Sequence, residues 1–90
     1  MNTLDRKDLP DHAFKGMFIH LLYKNGEIAK QGIIEDFDRR AKIAYVQTFS
    51  WADGTDYSLE LVRTYKIFND KYSHLYADAE AMNKAYVRLS

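Results

Sequence analysis

The side chains best suited to chemistry in this sequence are aromatic. Trp51 stands just ahead of an Asp53-Gly54 corner, and Tyr45, Tyr57 and Phe18 fall on neighbouring strand-like runs. Rings gathered in this way form a groove that suits a proline-rich segment, a methylated side chain or an apolar anchor. Their flat faces offer contact area at low entropic cost and attract cations. Asp53 and Asp56 would give such a groove a polar rim for a basic ligand group, although acids in turns also accept hydrogen bonds from nearby backbone. The competing reading places the same rings in the core.

A second candidate is the basic run Arg39, Arg40 and Lys42, with Lys30 and Arg63 as possible neighbours. Small barrels bind single-stranded nucleic acid by combining a basic groove with stacked rings, so this turn is the place where such binding would occur. Glu35, Asp36 and Asp38 flank it, and Lys plus Arg equals Asp plus Glu at 13 each, so no long-range field draws polyanions to the chain.

Other chemistry lacks its pattern. His12, His20 and His74 are far apart and outside any H-E-x-x-H arrangement, so no metal site is expected, and His20 reads as a structural or surface residue on the first strand. Ser50, Ser58 and Ser73 lie in no G-x-S-x-G elbow, and there is no phosphate-binding glycine loop or dinucleotide fingerprint. Carboxylates such as Glu27, Glu35, Asp36 and Glu60 occur as they do in most soluble domains. No catalysis and no cofactor is expected. Cysteine is absent, which removes disulfides and thiolate ligands and is compatible with the cytoplasm. The opening MNTLDRKDLPDH has no apolar h-region, and no apolar run reaches the roughly 20 residues of a membrane span.

The elements that must position these residues follow from alternation and turn chemistry. Residues 1–12 are charged and read as a mobile arm, with a short turn capped by Asp11 as the alternative. Residues 15–24 form the first strand, Asn25-Gly26 a type I′ hairpin turn, and residues 27–37 a second strand bent or bulged at Gly32. The third strand, Ile43 to Ser50, has a bulky face (Ile43, Tyr45, Gln47, Phe49) and a small one (Ala44, Val46, Thr48, Ser50). Tyr57, Leu59 and Leu61 share one face of a fourth strand over residues 57–64. A helical turn near residues 66–69, a short strand over 73–76 and a helix over 78–89 follow. Asp78 caps that helix, and Met82, Tyr86 and Leu89 pack inward.

The order Phe18-Ile19-His20, Gln31-Gly32, Val46-Gln47-Thr48-Phe49-Ser50-Trp51-Ala52-Asp53-Gly54, Leu61-Val62 and Tyr76-Ala77-Asp78 resembles a family of short bacterial and mobile-element proteins. Its most specific part is Val-Gln-x-x-Ser-Trp-x-x-Gly. Lys30 stands where members of that family tend to carry an aromatic residue. The resemblance implies an SH3-like or Tudor-like barrel and no activity.

Together these features predict a mainly β chain. Residues 13–90 form one SH3-like antiparallel barrel of about five strands with a C-terminal helix. Its expected role is cytoplasmic protein interaction, with an unknown protein or peptide docking on Phe18, Trp51, Asp53, Asp56 and Tyr57. The alternatives are a nucleic-acid-binding accessory protein using Arg39, Arg40 and Lys42, and an assembly or inhibitory protein acting through a sheet edge.

Overall fold

The structure, a computed structural model, describes residues 6–50 and 55–89, with side chains as far as residue 85. It is mainly β. Five antiparallel strands, β1 (Phe18–Leu22), β2 (Ile28–Asp38), β3 (Ile43–Phe49), β4 (Asp56–Arg63) and β5 (Ser73–Tyr76), form one sheet in the order β4-β3-β2-β1-β5. A 3-10 turn (Arg6–Asp8) and α1 (Asp11–Phe14) precede it, α2 (Thr64–Phe68) joins β4 to β5, and α3 (Ala79–Leu89) follows.

The long strand β2 serves two sets of partners. Ile28 to Ile33 pair with β1, whereas Gly32 to Asp38 pair with β3. The two sets overlap at Gly32 and Ile33, and at Gly32 a Cβ would stand 2.5 Å from the Gln47 carbonyl oxygen and 2.7 Å from Val46 Cγ1. Only a residue without a side chain lets β3 approach this closely, which gives Gly32 its role; the β2–β3 pairing irregularity, where a bulge or bend was expected at Gly32, lies instead between Ile34 and Asp36. Further irregularities lie at Leu21/Leu22, Ile34/Asp36 and Gln47/Phe49.

The β1–β2 hairpin forms as expected, but its turn is not type I′. That turn needs two positive φ angles, whereas Asn25 is not among the positive-φ residues and Gly26 alone has φ 88°. Gly26 N–H donates to Tyr23 O, and Asn25 Oδ1 accepts from Glu27 N–H. This is the longer hairpin loop with its glycine in the left-handed position.

The core lies on one side of the sheet. Ile19, Ile34, Ala44, Val46 and Val62 point into it, and α1 and α2 cover it with Phe14 and Ile67. Phe14 stacks on Phe37 at 4.2 Å, and both meet the edge of Phe68. β3 buries its small face, Ala44, Val46 and Thr48, beneath the larger side chains of Phe14, Ile19, Ile34 and Phe37. Its bulky face is half-buried on the other side.

Residues 6–14 pack against this core. Arg6 donates to the Ile67 carbonyl and to Ser73 Oγ, Leu9 packs beside the cluster, and Phe14 is fully buried. A helical turn does form at Asp11, but Pro10 occupies its N-cap position, and the Asp11 carboxylate instead accepts from Arg39 N–H. At the other end, Asp78 Oδ1 accepts from Ala81 N–H and caps α3, and Met82 is buried. Tyr86 and Leu89, expected beside Met82, lie outside the described side chains.

Candidate interaction face

The outer face of the sheet, opposite the core, is built by register. Tyr76, Phe18, Ile33, Gln47 and Leu59 form one row across all five strands, since directly paired residues of antiparallel strands point to the same side. Asp36, Tyr45 and Leu61 form the next row. The two ends of the face differ. α3 covers the β1 and β5 end, where His20 and Met82 are buried. On β4 the face is open, and Leu59 and Leu61 are 56% and 51% exposed.

Phe18 sits partway along this face, half-buried, and meets Phe49 edge-on with ring centroids 6.2 Å apart. Asp56 is exposed and opposite Phe49 in the ladder. Phe18 and Asp56 therefore flank one aromatic surface centred on Phe49, whereas Tyr57, expected in the same groove, falls with Ser58 at the ladder irregularity opposite Thr48. Trp51 and Asp53, the other two residues expected there, lie outside the described residues. The signal for Leu59 and Leu61 was present in the alternation of Tyr57 to Val62, which does not say which face is inside. Val62 and the small residues opposite it on β3 take the core, leaving the leucines outside.

The basic turn is divided. The Arg39 guanidinium donates to the Leu9 carbonyl, pairs with Asp11 at 3.2 Å and lies 5.1 Å above the Phe68 ring. It therefore ties α1 to α2 and the core. Arg40 and Lys42 are exposed, and Lys42 holds φ 62° in the turn. Arg39→Lys is expected to cost about 1–2 kcal/mol, because an ammonium cannot reproduce the planar fork or its stacking. Arg40→Lys should leave the thermal midpoint unchanged. Equal melting of the two variants would contradict the structural role of Arg39.

Lys30 and Glu60 bridge β2 and β4 at 2.6 Å, and Ser58 Oγ donates to the same carboxylate. Under α3, His20 is fully buried and its Nδ1 lies 3.0 Å from Tyr76 Oη. Burial, with a smaller effect from His74, lowers the His20 pKa to about 4. Burial also raises that of Tyr76 and lowers that of Arg6. The expectation of a structural or surface histidine resolves to a buried one. Among the described residues, no group of three or more His, Asp or Glu side chains could hold a metal ion, and no helix is long and apolar enough to cross a membrane.

No protein-family model, curated protein or solved structure matches this chain. The reading of the outer face rests on its own geometry. That geometry offers apolar area, half-buried rings and an acidic residue at the margin.

Proposed function

We propose that this chain is a non-catalytic, cytoplasmic protein-interaction module of SH3-like form, and that it docks a partner on the outer face of β3 and β4. The observation that carries the reading is the exposure of Leu59 and Leu61 beside half-buried Tyr45, Phe49 and Phe18. Exposed apolar side chains grouped in one patch, rather than scattered, favour a contact surface. Rings at the centre of such a surface usually carry most of the binding energy. Asp56 offers the margin a polar contact, and Trp51 and Asp53, assigned to the groove from the sequence, belong to the same proposal.

Capture from a lysate of the source cells tests the reading, with wild type, Leu59→Asp and Trp51→Ala compared after low-salt and high-salt washes. A protein retained by the wild type at both salts should weaken by at least about tenfold with Leu59→Asp, the usual effect of losing one anchor residue. Trp51→Ala should do the same while leaving the thermal midpoint nearly unchanged. Loss of fold and binding together in Trp51→Ala would move that indole into the core. Recovery of nucleic acid alone, released by high salt in all three proteins, would overturn the reading in favour of Arg40 and Lys42.

A further inference from the structure

We infer that the occupant of this outer face is a second copy of the same chain, joined to the first through antiparallel pairing of the two β4 edges. The inference rests on the reading of the face as a docking surface, and it names the partner.

Among the described residues, β4 ends the sheet and is paired on one side only. Thr64 N–H donates to Lys42 O, continuing the register in which Ile43 opposes Arg63 and Ala44 opposes Val62. Backbone groups alternate in direction along an antiparallel ladder. The groups of Thr64, Val62 and Glu60 therefore face β3, and those of Leu59, Leu61 and Arg63 face the open edge. The residues with outward backbone groups are also those with side chains on the exposed apolar face. A strand added at this edge would gain ladder hydrogen bonds and apolar contact together.

Charge favours a copy of the same strand as that addition. β4 opens with Asp56 and closes with Arg63, so antiparallel pairing runs the acidic end of each strand beside the basic end of the other. The apolar pair Leu59 and Leu61 lies between these ends and meets its equivalent across the two-fold axis. Glu60 points to the opposite face and is neutralised by Lys30 within its own chain. The formal net charge of zero adds no repulsion between copies.

The same geometry limits the assembly. An isologous contact uses one patch on each copy and closes at two. The irregularity between Gln47 and Phe49 places Tyr57 and Ser58 together opposite Thr48, which ends the regular part of the edge. The short edge available for pairing, Leu59 to Arg63, suits a reversible dimer more than an extended fibre.

Sedimentation equilibrium from about 10 µM to about 1 mM tests the inference, a range that covers weak reversible association. The wild type should move from monomer to dimer and stop there. Leu61→Pro removes an outward N–H that β3 does not use and should raise the dissociation constant at least about tenfold. Leu61→Lys, a milder change that places charge on the edge, should do the same. Circular dichroism melting of each variant checks that it is folded.

A wild type that stays monomeric throughout overturns the second copy and leaves the docking face to the capture experiment. A dimer lost with Leu59→Asp but kept in folded Leu61→Pro would mean face-to-face contact, overturning edge pairing while sparing the docking face. A dimer that survives all three variants overturns both. Assembly beyond two overturns the two-fold contact.

Discussion

Gly32→Ala should destabilise this protein by about 3 kcal/mol, at the upper end of the range for overpacking. Alanine in place of glycine within an ordinary strand gains about 0.5–1 kcal/mol from reduced chain entropy, so the expected sign here is reversed. The added methyl would sit 2.5 Å from the Gln47 carbonyl oxygen, a backbone atom with no rotamer by which to escape. The other obstacle, Val46 Cγ1 at 2.7 Å, belongs to a side chain that is fully buried and cannot turn outward. β3 would have to lift from β2 where Gly32 pairs with Thr48. Urea denaturation reads the effect as a lower midpoint at constant slope. Gly26→Ala is the control, because its space is open and only φ 88° opposes it, at a cost of about 1 kcal/mol. A Gly32→Ala variant as stable as the wild type would remove this close approach from the account of the fold.

The special place of Gly32 was legible in the sequence, as a glycine within a strand pattern, but the structure gives it as a close approach of β3 and not as a bulge. So were the elements near strong local signals, the hairpin at Asn25-Gly26 and the helix capped by Asp78, whereas the strand over Ser73–Tyr76 rested on a weaker pattern that the structure bears out. The choice of inner and outer face was not. On β3 and β4 both faces contain apolar residues, and alternation gives the period without its phase. The structure settles the phase by burying Ala44, Val46 and Thr48, with β3 close against Gly32 on that side. The bulkier Tyr45, Phe49, Leu59 and Leu61 are turned outward, and this places the candidate site on the outer face.

The packing of residues 6–14 was hidden for a different reason. A charged, proline-containing stretch reads as solvated because composition does not show where each charge ends up. Arg6 reaches a backbone carbonyl of α2 and a hydroxyl of β5, and Asp11 meets Arg39, all through contacts distant in sequence. The same contacts divide the apparent basic run 39–42, since Arg39 is held by α1 and Phe68 while Arg40 remains exposed. Phe14, lying between charged neighbours, gave no periodic signal and yet stacks at the centre of the core.

Acid should unfold this protein through His20. In the folded state its pKa falls from 6.5 to about 4, chiefly because burial disfavours the imidazolium. His74, opposite it on β5, acts in the same direction, and a hydrogen bond with Gln31 opposes both. Tyr76 holds the ring at Nδ1, and α3, packed on the same face, carries Glu80 and Lys84 exposed and paired with each other. Above pH 6.5 neither the folded nor the unfolded state protonates this ring, and its contribution to stability is complete. Between 6.5 and about 4 the unfolded chain takes up a proton that the native state refuses, so stability falls as pH falls. The loss approaches about 3 kcal/mol at the lower end, which is a large part of the stability of a small domain. Urea midpoints measured between pH 7 and pH 4.5 should drop accordingly. His20→Gln keeps a polar partner for Tyr76 and removes the titration, so its midpoint should vary less across the same interval. The same pH dependence in wild type and His20→Gln would place the acid sensitivity elsewhere.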